Sequence, residues 1–300
     1  MSLKKSLDID FLIVGASKSG TTALASFLNQ NDEVFICDPK EPKFLTYSFL
    51  KDKYKGPGDD ITLKNCIKSF EEYQQLFLAA PKGVVKGEAS VDLLYHHKES
   101  IPEIKKQLDN PKIIIMLREQ SKRAFSAYSH LIRDERESQS FSEALALEEE
   151  RLQKDYEFIW AYKNEGLYYE PVKEFISNFD NVKVVFFEEF IRDQLNVVND
   201  VFNFLGVNPL DKLKVASQNK SGKPKSKLIN RFFIKDSFLK SIFKSVIGTN
   251  TRNRVKTFIQ SKNLSKIEAD KQTLENLKKE YLKDNAKLAE LLNKELSIWN

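Results

Sequence analysis

The amino-acid sequence predicts an α/β fold, a parallel β-sheet with helices packed on both of its faces. Three short runs, residues 10–14, 112–117 and 182–187, are almost continuously apolar and rich in β-branched residues. Runs of this length and composition are typical of strands that are buried on both faces. Each run is followed by a segment whose apolar residues recur at helical spacing. Because parallel strands that alternate with helices place ligands at their carboxyl ends, we expect the functional site there.

The first two strand–helix units supply the most informative loops. The first run leads into a loop bounded by Gly15 and Gly20, and residues 21–28 then have the pattern of a helix. The second run leads into Arg118 and a helical pattern over residues 123–131. In both units the residues that follow the strand lie at the edge where we expect ligand contacts.

The later elements complete what we expect to be one domain, residues 1–300. The third run precedes a helical segment, residues 197–205, which ends at Gly206. From residue 227 to 266 basic residues alternate with Leu, Ile and Phe, and this pattern predicts a basic helical insertion or lid. Apolar residues at helical spacing over residues 271–292 predict a C-terminal helical extension that docks on the core.

The composition is that of a folded globular protein. Charged residues make up 30% of the chain and hydrophobic residues 41%, which excludes a disordered chain. The apolar run over residues 11–14 is too short for a secretion signal or a membrane span. The two cysteines, Cys37 and Cys66, lack the spacing of a metal site. We therefore expect a cytoplasmic protein without a disulfide or a zinc site.

The positive charge is concentrated in one late segment. Residues 212–266 contain fifteen Lys or Arg and a single acid, Asp236, so the charge of this segment is +14. Because the net charge of the whole chain is +5, the remaining residues carry −9. An anionic partner is expected to meet the protein there. For residues 227–262 we considered three roles: a lid over the acceptor, a peripheral contact with an anionic membrane, or a solvated helical cap.

The loop between Gly15 and Gly20 has the form of a phosphate-binding loop, or P-loop. Backbone N–H groups and the positive end of the helix dipole converge where such a loop enters a helix. The ATP and GTP loops follow G-x-x-x-x-G-K-[ST], with a Lys directly after the second Gly. Here Thr21 occupies that position and Lys18 lies inside the loop. The loop thus predicts an anion site without the lysine that grasps a triphosphate.

The loop resembles the 5′-phosphosulfate loop of the sulfotransferases that use PAPS (3′-phosphoadenosine-5′-phosphosulfate). The K-[ST]-G-T-[TS] core of that family is matched by Lys18, Ser19, Gly20, Thr21 and Thr22. The resemblance implies a P-loop-like parallel sheet and a nucleotide donor with a sulfuryl group.

A second signature of the same family lies about one hundred residues later. Arg118 ends the second strand and Ser126 follows eight residues on, which is the family spacing for the two residues that hold the 3′-phosphate. An Arg offers a bidentate fork to a phosphate. The surrounding pattern departs from the family at Glu119 and Gln120, where the family has Asp or Asn followed by Pro.

Further segments resemble the bacterial and heparan-sulfate-type carbohydrate branch. Residues 40–44 resemble its K-E-P-H-F segment, with Lys43 in place of His, and residues 87–90 resemble its G-E-x-[ST] segment, where Ala89 stands in place of a Lys. Residues 219–226 resemble the basic loop that closes over the nucleotide.

The resemblance implies a role for each matched residue. Lys18 would neutralise charge on the leaving oxygen, and Glu41 would act as the catalytic base, with Glu41, Lys43 and Glu88 contacting the acceptor. The nucleotide ligands would be Lys18, Ser19, Gly20, Thr21, Thr22, Arg118, Ser126, Ser221, Gly222 and Lys223. No metal is required. Another branch uses a His base, but none of His96, His97 and His130 lies in the corresponding segment, and Glu88 is the next candidate.

Together these patterns predict a sulfotransferase that converts PAPS to PAP. The acceptor would carry a hydroxyl or an amine, and a saccharide or glycolipid is expected from the branch. Two alternatives remain open: a P-loop kinase of small molecules, which Thr21 disfavours, and a basic module that binds nucleic acid or membrane. We expect no nucleic-acid partner. The sequence does not identify the acceptor, the position sulfated or the oligomeric state.

Overall fold

The computed structural model describes residues 8–214 and 267–299, together with two short strands at residues 223–224 and 264–265. Of the predicted nucleotide ligands, Ser221 and Gly222 lie outside the described residues, and for Lys223 only the backbone is described. The predicted insertion at residues 227–266 also lies outside them, apart from the second short strand.

The core of the molecule is a five-stranded parallel sheet in the order β2-β3-β1-β4-β5. Its strands are β1 (Phe11–Gly15), β2 (Val34–Ile36), β3 (Val85–Glu88), β4 (Lys112–Leu117) and β5 (Val182–Phe186). The three predicted strands are confirmed as β1, β4 and β5. The sequence analysis missed β2 and β3, which pair with each other at one side of the sheet.

Thirteen α-helices are described in this part of the chain. They are α1 (Thr21–Leu28), α2 (Phe44–Leu50), α3 (Asp60–Lys64), α4 (Phe70–Gln75), α5 (His97–Leu108), α6 (Gln120–Arg133), α7 (Phe141–Ala146), α8 (Glu148–Gln153), α9 (Tyr169–Asn178), α10 (Phe187–Arg192), α11 (Gln194–Leu205), α12 (Lys271–Glu280) and α13 (Leu282–Leu292). Short 3₁₀ turns lie at Phe158–Trp160, Asn164–Gly166 and Ser297–Trp299. None of the described helices is long and apolar enough to cross a membrane.

Helices cover both faces of the sheet, as the sequence predicts. Along β4, Ile113 and Ile115 pack against α5, α9 and α13, whereas Ile114 and Met116 pack against α1 and α11. This alternation follows from the two-residue repeat of a strand. Because each fully buried aliphatic side chain contributes about 1.5–3 kcal/mol, the two apolar layers fix the sheet firmly between the helices.

The C-terminal extension consists of two helices rather than the single predicted one. The chain turns at Tyr281, whose side chain is buried and donates a hydrogen bond from its hydroxyl to the carbonyl of Lys163, at 2.9 Å. This contact lets α12 pack beside α6 while α13 packs beside α9. The extension therefore fastens two parts of the domain that are distant in sequence.

A small antiparallel pair of strands lies beside α6. β6 (Lys223–Pro224) pairs with β7 (Leu264–Ser265), with Lys223 opposite Ser265 and Pro224 opposite Leu264. β6 also contacts α6, the helix that follows Arg118. The pairing of β6 with β7 brings residues 223–224 and 264–265 together beside α6.

Candidate active site

The loop between β1 and α1 is shaped for an anion. Gly20 precedes the helix with φ 98°, and Lys18 within the loop also has a left-handed backbone, φ 62°. A Cβ at Gly20 would lie 2.7 Å from a ring carbon of Phe187, so only Gly fits there. No side chain caps α1. The free N–H groups of its first turn are therefore available to a phosphate.

The loop rests on a buried ion pair. The backbone N–H of Ser17 donates to Glu165 Oε1 at 2.8 Å, and Arg123 Nη1 donates to Glu165 Oε2 at 2.7 Å. Glu165 and Arg123 are both buried. Burial raises the pKa of Glu165, although Arg123 offsets part of the effect. The sequence analysis missed Glu165, which lies far from Ser17 in sequence and follows no motif that we recognised.

The ammonium group of Lys18 lies among charged side chains from three parts of the chain. Burial, and to a smaller degree the nearby Arg133, lower the pKa of Lys18 to about 8, although Asp134, Glu41 and Glu165 act in the opposite direction. Lys18 and Glu41, for which the sequence predicts catalytic roles, therefore interact electrostatically.

Arg118 joins the end of β4 to the phosphate loop. Its Nη1 donates to the carbonyl of Lys18 at 3.1 Å, and its Cζ lies 4.6 Å from the ring centre of Phe187. Arg118 Nε is buried and has no hydrogen-bond partner among the described residues. The guanidinium thus retains a donor for a ligand at this edge. Ser126 is half-buried on α6, and its contact with the 3′-phosphate stays a prediction.

The backbone around Arg118 is fixed from both sides. The hydroxyl of Tyr168 donates to the carbonyl of Arg118 at 2.9 Å. The next N–H, of Glu119, donates to Glu188 Oε1 at 3.1 Å, and the indole N–H of Trp299 donates to Glu188 Oε2 at 2.9 Å. Trp299 itself is buried. The 3₁₀ turn after α13 therefore helps to hold the strand end that carries Arg118.

Glu41 lies in the loop between β2 and α2, partly exposed to solvent. Its carboxylate contacts the ammonium of Lys40 through Oε1, and its Oε2 lies 3.8 Å from the Nζ of Lys43. Glu41 is thus paired with two lysines of its own loop, and it also interacts electrostatically with Lys18.

Glu88 does not face an acceptor in this structure. Its side chain has no exposed surface, Oε1 accepts a hydrogen bond from Tyr73 Oη at 2.8 Å, and Oε2 accepts one from Ser90 Oγ. Burial raises the pKa of Glu88 to about 7. Glu88 thus lies beneath the loop that carries Glu41, and its contact with an acceptor stays a prediction.

His130, Arg133 and Asp134 lie at the carboxyl end of α6 and interact electrostatically with Lys18. The sequence analysis assigned them no role. His130 Nδ1 contacts Arg133, and His130 Nε2 lies 3.5 Å from Asp134 Oδ2. Burial lowers the pKa of His130 to about 3, and the nearby charge of Lys18 contributes. The imidazole is thus neutral near pH 7. Ser126, His130 and Arg133 follow one another at spacings of four and three, which places them on one helix face.

No group of three or more His, Cys, Asp or Glu that could hold a metal ion occurs in the part of the chain that the structure describes. Cys37 and Cys66 are buried and free.

Comparisons with known proteins agree with this geometry. A family model described as a sulfotransferase domain matches residues 8–232. The crystal structure of a sulfotransferase from Alicyclobacillus acidocaldarius is 32% identical, covers 97% of this chain and 98% of its own, and has a TM-score of 0.72. A sulfotransferase domain from the curacin biosynthetic pathway is 12% identical, with 69% and 77% coverage and a TM-score of 0.50, and supports the fold alone. A search of curated proteins found no match.

Proposed function

The chain belongs to the sulfotransferase family, and from this premise we propose that it transfers a sulfuryl group from PAPS to a hydroxyl or an amine of a saccharide or glycolipid. One observation carries the proposal. Lys18 is linked through its carbonyl to Arg118, the predicted 3′-phosphate ligand, and its ammonium interacts electrostatically with Glu41, the predicted base. These two interactions support a donor site with a proton acceptor nearby.

The residues at the loop fit the anionic donor. The N-terminus of α1 lacks a side-chain cap, Gly20 leaves space beside Phe187, and Arg118 Nε is buried without a partner among the described residues. Together with Lys18 these groups offer donors and positive charge to two phosphates. When bound, PAPS would supply an activated sulfuryl group whose leaving group is the 5′-phosphate of PAP.

Lys18 and Glu41 would divide the chemistry between them. Transfer of this kind passes through a loose in-line transition state, in which the protein mainly positions groups and stabilises charge. The Lys18 ammonium would neutralise the charge that develops on the bridging oxygen, and an anion in the loop would raise its pKa from about 8 and keep it protonated. The Glu41 carboxylate would take the proton from the attacking hydroxyl or amine.

The alternatives are less well supported. A kinase of small molecules would need a Lys where this chain has Thr21, which is buried at the start of α1. The basic segment, residues 227–262, lies outside the described residues, so its contact with an anionic membrane and its function as a lid stay proposals. A location in the cytoplasm and residues 1–300 as a single domain stay proposals too.

Differential binding of nucleotides tests the donor. PAP should raise the melting temperature of the wild type, whereas ATP with Mg²⁺ should raise it far less, because only PAP carries the 3′-phosphate that Arg118 is proposed to hold. At a hundredfold excess over Kd, PAP should stabilise the fold by about 2.7 kcal/mol.

The variant Arg118→Ala is the matched control for this experiment. It should lose the preference for PAP over AMP while it retains some binding of both. Equal shifts of the wild type by PAP and by ATP would reject PAPS as the donor, and a preserved preference in the variant would place the 3′-phosphate elsewhere.

A further inference from the structure

A buried ion pair lies directly behind Glu41. Lys43 Nζ is 3.5 Å from Asp92 Oδ2 and 3.8 Å from Glu41 Oε2, so one ammonium group lies between two carboxylates. Asp92 has no exposed surface and accepts a hydrogen bond from Thr46 Oγ1 at 2.8 Å. The ammonium also lies 5.2 Å from the ring centre of Phe158. Lys43 is therefore held in one place, unlike a surface lysine.

The backbone on both sides of Glu41 is fastened to the segment after β3. The N–H of Ala89 donates to the carbonyl of Lys40 at 2.7 Å, and the N–H of Lys43 donates to Ser90 Oγ at 3.1 Å. Ser90 in turn donates to Glu88. Every second residue from 88 to 92 thus supports the loop from a fully buried position, and these residues are Glu88, Ser90 and Asp92.

The charges around this unit favour a permanently charged Lys43. Burial by itself lowers the pKa of Lys43, because it disfavours the charged ammonium. The negative charges of Asp92, which has the largest effect of the three, and of Glu41 and Glu157 outweigh burial and raise the pKa. Cys66 also faces Lys43, and its own pKa is raised by burial, so it is neutral near pH 7. The Glu41 carboxylate also contacts Lys40 and interacts electrostatically with Lys18. Among these three lysines, Lys43 alone forms an ion pair with a second, fully buried carboxylate in the described part of the chain.

We propose that Lys43 and Asp92 form a positioning pair that holds the Glu41 carboxylate in place and ionised at the acceptor site. The inference rests on the proposed role of Glu41 as the base. Asp92 anchors the ammonium, the ammonium attracts the carboxylate, and the loop contacts with Ala89 and Ser90 fix the distance between them. Neither Lys43 nor Asp92 needs to touch the acceptor for this purpose.

The ionisation of Glu41 can be measured directly and without an acceptor. The carboxyl ¹³C resonance of Glu41 is assigned by its loss in Glu41→Gln, and its titration is followed by NMR in protein labelled at Glu. In Lys43→Gln the titration midpoint of Glu41 should rise, because a nearby opposite charge has been removed. In Lys43→Arg it should return close to the wild-type value. In Asp92→Asn it should rise as well, because the ammonium loses the carboxylate that anchors it beside Glu41.

Lys40→Gln is the matched control, because Lys40 contacts the same carboxylate but is partly exposed and lacks a buried anion. Its effect should be clearly smaller, as exposed pairs are weak and screened by salt. An unchanged midpoint in Lys43→Gln, or equal changes in the two Lys variants, would overturn the inference. A lower midpoint in Asp92→Asn would also overturn it, because Lys43 would then pair more strongly with Glu41. If PAP failed to bind the wild type, the proposed function would fail instead, and the titration would still decide the positioning pair.

Discussion

Of the three acids that interact with Lys18, Glu41 and Asp134 are partly exposed to a similar degree, whereas Glu165 is buried. Asp134 is paired with His130 and Arg133, and Glu165 is bonded to Ser17 and Arg123. Glu165 is therefore committed to holding the loop, and Glu41 remains the proposed proton acceptor.

Replacing Glu41 should separate chemistry from binding. The turnover of Glu41→Gln should be measured with PAPS and a saccharide that the wild type accepts, and it should fall by about a hundredfold or more. The increase in melting temperature that PAP causes should remain. Asp38→Asn, which removes an exposed acid from the same loop, should retain turnover. Wild-type turnover by Glu41→Gln would instead direct attention to the α6 cluster of His130, Arg133 and Asp134.

Glu88 should make stability depend on pH. Burial raises its pKa from an ordinary value of 4.5 to about 7, so the folded state binds the proton more tightly than the unfolded chain. The contribution is fully present below pH 4.5 and is lost as the pH rises through 7, with a magnitude of about 3 kcal/mol. In urea unfolding at pH 5 and pH 8, Glu88→Gln should remove that part of the pH dependence. A parallel dependence in the variant and the wild type would show that Glu88 does not titrate in this range.

At the scale of elements, the turn into α1 depends on Gly20. Gly20→Ala must adopt an unfavourable positive φ and also collides with Phe187, so we expect a cost of about 2–4 kcal/mol and weaker binding of PAP. Gly83→Ala is the matched control, because Gly83 has φ +80° but no atom within 4 Å of an added Cβ. It should cost only about 1 kcal/mol and leave PAP binding unchanged. Equal costs in urea unfolding would mean that the collision with Phe187 is relieved by a side-chain movement.

The strands and loops that the sequence predicted are those that a pattern of neighbouring residues identifies. β1, β4 and β5 are continuous apolar runs, and the loop with Lys18 and the spacing of Arg118 follow motifs. β3 was missed because its four residues include Lys86 and Gly87. Gly87 is required by a contact across the sheet, since an added Cβ would lie 2.4 Å from the ring of Phe11. Such a reason exists only in the folded protein.

The same limit applies to the site. The support of the loop by Glu165 joins residues 148 positions apart, and Thr46 and Asp92 are 46 positions apart. Neither pair has a fixed spacing that a single sequence could reveal. The break at Tyr281 likewise follows from its bond to Lys163, 118 positions away. The residues that we propose bind the donor were predicted from motifs, whereas the residues that support them were not.

At the scale of the whole molecule, β6 and β7 mark where the basic segment joins the domain. Because the two strands pair, deletion of residues 232–256 should leave both ends in place, and none of the predicted nucleotide ligands lies inside the deletion. We expect the variant to fold and to show the wild-type thermal shift with PAP. Loss of the shift in a folded variant would place part of the nucleotide site within the segment.

The bond between Trp299 and Glu188 has a consequence for biosynthesis. All five strands of the sheet have been synthesised once the ribosome has passed Phe186, but the indole that binds Glu188 Oε2 is added more than one hundred residues later. At about 5–20 residues per second, this delay is roughly 6 to 23 s. Throughout that interval Glu188, which holds the backbone beside Arg118, lacks one of its two hydrogen-bond donors. The contacts that fix the strand end carrying Arg118 are therefore completed only after the whole sheet has been synthesised.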